Sequence, residues 1–296
     1  MKSSLNSLSR PWLLFLIWAV ACSLLFWKPL SALCHYAINN DNASHIVLIP
    51  FLVAWLLYLD RHKIHRTSFD IVPASLFALS ATILAIFVVR HIPLDPSSGL
   101  AATTLAYVLL LIAGFAGIFG RQSAIRARFP LAFLVLAIPF PEPLLNRIIY
   151  LLQAGSAAVA EWIFDWSGVP ALREGFVFRL PRMSIEVATE CSGIRSSIAL
   201  LILALLVAHF SFVRFWKKAI FVFAGLLMML VKNGVRIATL TILANYVDPD
   251  FLYGRLHREG GVVFFLIGLA LLWPVYWLLK RDEKTHPILP SEASLS

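Results

Sequence analysis

The sequence predicts an all-α polytopic membrane protein with about eight transmembrane helices. Three observations carry that prediction. Apolar residues make up 60% of the 296 positions and charged residues only 14%, where a soluble domain carries about 25% charge. Mean hydropathy is +0.82, so apolar area is left over that must face lipid. The apolar runs are long and continuous instead of alternating, and in lipid every backbone polar group needs an internal partner, so the spans are helices and not barrel strands. A formal charge of +9 invites a nucleic-acid reading, but the basic residues are scattered among the spans and form no stripe.

The spans fall at 11–30, 45–59, 70–89, 99–119, 129–141, 192–212, 219–246 and 261–279. The second and fifth are short for a hydrocarbon layer of about 30 Å. Basic residues set the orientation. With the N-terminus inside, the inner segments carry Lys2 and Arg10, then Arg61, Lys63 and Arg66, then Arg121, Arg126 and Arg128, then Arg214, Lys217 and Lys218, and finally Lys280, Arg281 and Lys284. The early outer loops, 31–44 and 90–98, hold only Arg90. This bias predicts both termini inside and an even number of spans. Ala19-Val20-Ala21-Cys22 faintly resembles a lipoprotein cleavage box with Ala19 in place of the usual leucine. The run stays apolar past Cys22, so an uncleaved first helix is expected.

One outer segment, 142–190, is long. Leu144 to Trp166 has apolar residues at helical spacing, with Asn146, Arg147, Gln153, Glu161 and Asp165 between them, as in an amphipathic helix lying on the membrane surface. Pro170 to Val187 contains Gly175, the run Phe176-Val177-Phe178 and the run Ile185-Glu186-Val187, which reads as a short hairpin before the sixth span. Residues 1–284 read as one integral membrane domain and 285–296 as a disordered tail.

Three residues could do chemistry. Cys191 stands in Thr189-Glu190-Cys191-Ser192-Gly193-Ile194-Arg195, at the outer start of span six. A helix N-terminus offers free N–H groups and positive potential, which favour the nucleophilic thiolate. Arg195, one turn on, adds charge on the same face. The competing reading is a small, inert, buried cysteine, which fits Cys22 and Cys34 better because neither has a polar cluster nearby. Arg236, in Lys232-Asn233-Gly234-Val235-Arg236, lies in the outer half of span seven, where an arginine is costly and a functional-site hypothesis by default. Asn233 shares its helix face, and Lys232 is expected to point away. The competing reading is snorkelling to headgroups. His257 lies just outside span eight and can carry protons both ways near neutral pH; alone, it would read as an ordinary loop histidine. All three reach the outer side in this topology. A thiol, an imidazole and a guanidinium together suit acyl transfer through a thioester.

His45 and His91 read more simply as interfacial residues. Glu142, Glu186 and Glu190 could orient a histidine. Three widely spaced cysteines argue against a disulfide framework, and His35, His45, His91 and His257 lack close ligand spacing, so neither metal nor cofactor is expected.

These motifs resemble the exosortase/archaeosortase family. Ser44-His45 with Leu48-Ile49-Pro50 is similar to an early family segment, with Ile46 where glycine is usual. Ala137-Ile138-Pro139-Phe140-Pro141 resembles its proline-rich end of span five. Glu190-Cys191-Ser192-Gly193-Ile194-Arg195-Ser196 resembles its cysteine motif. Asn233-Gly234-Val235-Arg236-Ile237, and His257 with Gly261 and Phe265, resemble its arginine and histidine motifs. The resemblance implies a membrane cysteine protease or transpeptidase of the inner membrane, often linked to exopolysaccharide production. Its substrates would be exported proteins with a C-terminal sorting signal: a Pro-Glu-Pro-type motif, a transmembrane helix and a basic tail. Cys191 would then be the nucleophile, His257 the general acid/base and Arg236 the oxyanion stabiliser, with the site on the periplasmic side. The chain's own Pro141-Glu142-Pro143 is too far from the C-terminus to be such a signal. Two other readings stand beside this one. A transporter or channel for a polysaccharide or lipid precursor would line its pathway with Arg236 and a helix broken at Lys232-Asn233-Gly234. A structural scaffold in an envelope assembly would tolerate conservative changes at all three residues.

Overall fold

The computed structural model describes residues 2–64, 71–91, 96–189, 193–252 and 261–285. They form two compact units, Met1–Leu145 and Asn146–Ser296.

The first unit begins with α1 (Lys2–Leu25) and α2 (Trp27–Asn39), which break at Phe26 and turn by 82°. The loop expected from residue 31 is therefore largely helix. Pro29 sits in the first turn of α2, where a missing N–H is no loss. Leu33 and Ala37, four apart, bury one face of α2. Next come α3 (His45–Leu59), α4 (Ile71–His91), α5 (Pro96–Phe119), α6 (Arg121–Arg126), α7 (Arg128–Phe133) and a 3₁₀ turn, Leu134–Ala137. Trp12 and Phe15 of α1 meet Phe115 and Phe119 of α5, with ring centroids 4.7 to 6.4 Å apart. The Trp18 indole N–H donates to the Leu110 carbonyl at 2.9 Å, in a niche that exists only because Gly114 has no Cβ. Cys22 is buried in this unit and Cys34 is exposed on α2, so of these two the inert-core reading fits Cys22 and not Cys34.

The fifth predicted span is broken. After the 3₁₀ turn, Ile138 to Pro141 leave the helix before α8 (Glu142–Ser167) starts. Pro139 and Pro141 supply the reason, since neither can donate a helical hydrogen bond. α8 carries the chain into the second unit, and Gln153, Ser156, Ala157, Ala160 and Phe164 form its buried stripe. Apart from Phe164 that stripe is small or polar, while Tyr150, Trp162 and Trp166 face outwards.

The expected hairpin is a three-stranded antiparallel sheet in the order β1-β2-β3: β1 (Leu172–Glu174), β2 (Val177–Arg179) and β3 (Ser184–Glu186). Gly175, at φ +65°, makes the turn between β1 and β2. Phe178 is fully buried and meets Phe164 of α8 edge-on at 5.2 Å. Arg173 pairs with Glu161 of α8 at 2.7 Å, so the sheet is fixed to α8 by a ring contact and an ion pair.

Three helices complete this unit: α9 (Ile194–Ser211), α10 (Phe215–Tyr246) and α11 (Gly261–Thr285). α10 runs antiparallel to both neighbours. Towards α9, a Cβ on Gly193 or on Gly225 would meet Asn233 or Ala204 respectively. Towards α11, Lys232 lies against Gly268 and Lys217 donates to the Leu279 carbonyl at 3.0 Å. Lys280 donates to the Ser211 carbonyl at 2.7 Å, closing the same end.

Among the described residues five helices are long and apolar enough to cross a membrane, or seven if each broken pair counts as one span. α4 covers the remaining predicted span, so an all-α polytopic membrane protein is what the chain forms. α10 runs unbroken through Lys232-Asn233-Gly234, which removes the helix break that the transporter reading required. Gly234 is a crossing point instead: a Cβ there would lie 2.5 Å from Val159 and 2.9 Å from the Ser156 carbonyl. Small residues at such a crossing let two membrane helices approach closely.

Candidate active site

The site is built where the start of α9 meets the middle of α10. Gly193 precedes α9 at φ +69° and ψ 19°, a left-handed conformation open to glycine without penalty. Its backbone lies against Asn233: a Cβ on Gly193 would sit 2.8 Å from Asn233 Oδ1. Conformation and space therefore demand glycine at the same position. Asn233 is almost fully buried, and its Nδ2 donates to Ser156 Oγ of α8 at 3.0 Å. One amide thus ties three elements: α8, α10 and the entry to α9.

Beside it, the buried Lys232 donates from Nζ to Ser196 Oγ, and Ser196 Oγ donates to the Gly193 carbonyl at 3.0 Å. The expectation that Lys232 points away is therefore corrected: it is buried, whereas Arg236 is only half-buried. The reason is packing. The lysine stem packs against Gly268 of α11, where a Cβ would make ordinary contact at 3.5 Å from Lys232 Cβ and Cγ, and the ammonium finds a hydroxyl on α9. Arg236 lies one turn beyond Asn233 on α10, about 4.5 Å along the axis. Arg195 is exposed on the first turn of α9.

The chain entering this site from the other direction is also held. Val187, just after β3, is buried; its N–H donates to the Phe176 carbonyl at 2.9 Å and its own carbonyl accepts from Gln153 Nε2 of α8 at 2.9 Å. The helix that follows has no side-chain cap at Gly193, so N–H groups and the positive end of the α9 dipole face back along the chain. Such an end favours negative charge.

Of the residues singled out by sequence, Gly193 and Asn233 touch, Arg236 follows one turn on and Arg195 lies on the adjoining surface. His45 belongs to the first unit, at the start of α3. Glu190, Cys191, Ser192 and His257 lie outside the described residues. Sequence reasoning missed Ser156, Ser196 and the inward-facing Lys232. The signal for Ser156 is the stripe Gln153, Ser156, Ala157, Ala160, whose polar members are three apart on the buried face of α8. No group of three or more His, Cys, Asp or Glu residues among the described residues could hold a metal ion.

A bundle of apolar helices with this layer of Lys, Asn, Ser and Gly across it defines a multi-pass membrane protein with a polar site inside its helical framework. Residues 37–274 match the family model described as transmembrane exosortase. The chain belongs to the exosortase family, and a membrane transpeptidase or protease is the general role this membership supports. No curated protein and no solved structure matches the chain.

Proposed function

We propose that this protein is a membrane-embedded cysteine transpeptidase or protease that cleaves C-terminal sorting signals of exported proteins, with Cys191 as nucleophile, Arg236 as oxyanion stabiliser and His257 as proton carrier. One observation carries the reading: Asn233, one turn before Arg236, is seated on Gly193, two residues after Cys191. Two residues of chain span about 7 Å at most, which supports a nucleophile at Cys191 acting near Asn233. The uncapped start of α9 favours a thiolate there.

The chemistry then runs as follows. The Cys191 thiol gives its proton to His257, and the thiolate attacks the scissile carbonyl. Negative charge on the carbonyl oxygen is met by the Arg236 guanidinium. The C–N bond breaks, His257 returns the proton to the leaving amine, and a thioester remains on Cys191. An amine or water then takes the acyl group. The positive-inside pattern supports a site on the periplasmic face of the inner membrane. Cys191→Ala is expected to leave a reporter bearing a Pro-Glu-Pro-type motif, a transmembrane helix and a basic tail at its uncleaved length on a gel. Cleavage of that reporter by Cys191→Ala at the wild-type rate would overturn the proposal.

A further inference from the structure

Among the described residues β3 is an edge strand. Its ladder with β2 fixes which main-chain groups face outwards. Val187 N–H bonds to Phe176 and Leu180 N–H bonds to Met183, at 2.9 and 2.8 Å, and Phe178 stands opposite Ile185 between them. In an antiparallel pair the bonded positions alternate. Met183 and Ile185 therefore direct their N–H and C=O groups at β2, as Val187 does its N–H, and Ser184 and Glu186 direct theirs away. The Glu186 carbonyl is taken by Ala188 N–H at 3.0 Å. What remains on the open edge is the N–H and carbonyl of Ser184 and the N–H of Glu186. Both residues are exposed, and among the described residues no hydrogen bond covers these groups.

We propose that this edge is a docking strand for an extended polypeptide, the substrate segment beside the scissile bond, which adds to the sheet as a fourth strand. The inference rests on the cysteine-peptidase reading above. The spacing of the groups matches an extended main chain, and strand addition to an exposed edge is a general way of binding peptides with little regard to side chain. Location selects the occupant. β3 ends five residues before Cys191, and Val187 between them is held at both its N–H and its carbonyl. A peptide paired with Ser184 and Glu186 would thus bind within a few residues of Cys191 along the chain, next to the anchored Val187. The strand is only three residues long, which limits pairing with other chains and suits a transient substrate.

Proline tests the edge directly, because it deletes one N–H while leaving the inward ladder intact at these two positions. The full-length protein is expressed in membranes with the reporter described above. Ser184→Pro is expected to cleave it at no more than a tenth of the rate of Ser184→Ala, and Glu186→Pro at no more than a tenth of the rate of Glu186→Gln. Equal rates within each pair overturn the proposal. Should the proline variants fail to accumulate, a photoreactive amino acid at Glu186 in the Cys191→Ala background decides. Crosslinking to the motif segment of the reporter supports the docking strand. Crosslinking to the reporter's transmembrane helix alone, to a second copy of this chain, or to nothing overturns it. Failure of the parent reading looks different: Cys191→Ala would itself cleave the reporter, whereas a dead Cys191→Ala with unaffected proline variants removes only the docking strand.

Discussion

Gly193 is constrained from two directions at once. Its φ of +69° penalises any Cβ, and the space a Cβ would fill is occupied by Asn233. Strain at such a backbone position is worth about 1–3 kcal/mol, and the collision adds to it. Gly193→Ala is therefore expected to lower the thermal midpoint by several degrees and to change the rate at which a maleimide labels Cys191. Unchanged labelling and an unchanged midpoint would show that the contact with Asn233 does not position the thiol. The sequence exposed part of this arrangement. Asn233 and Arg236 are three apart on one helix and Gly193 is two residues from Cys191, so both halves were legible, but their contact joins positions forty residues apart. Lys232 was misread for a related reason. A lysine in a span is expected to seek water, and nothing local reveals that Ser196 on α9 gives its ammonium a partner while α11 packs on its stem.

At the scale of elements, α8 is the hinge between sheet and bundle. Its buried stripe meets Phe178 through Phe164 and Asn233 through Ser156, and Gly234 makes the close crossing with α10 possible. Overfilling a packed crossing costs about 1–3 kcal/mol. Gly234→Leu is expected to separate α8 from α10, to lose the Ser156–Asn233 bond and to reduce reporter cleavage at least tenfold. A disulfide crosslink between cysteines placed on the two helices reads the separation, and retention of that crosslink with wild-type cleavage would contradict the role given to the crossing. Periodicity foretold α8, and the runs around Phe178 and Ile185 foretold β2 and β3. Leu172-Arg173-Glu174 gave no comparable signal, because β1 is three residues long and is held by pairing and by the Arg173–Glu161 bond. Likewise Lys232-Asn233-Gly234 suggests a break in α10 where two helices cross.

Over the whole molecule, the apolar runs made the membrane class and the positions of the spans legible, since lipid leaves helices few alternatives. What the runs could not disclose was how polar side chains would find partners across the bundle, because those partners lie far apart in sequence. The polar layer of Lys232, Asn233, Ser156 and Ser196 is such a feature. The most direct measurement is capture of the reporter on the enzyme. Brief reaction of the wild-type protein, acid quenching and peptide mass spectrometry are expected to find the reporter's acyl fragment on Cys191, released by neutral hydroxylamine as a thioester is. Cleaved reporter with no adduct on Cys191, together with full activity in Cys191→Ala, would contradict the account.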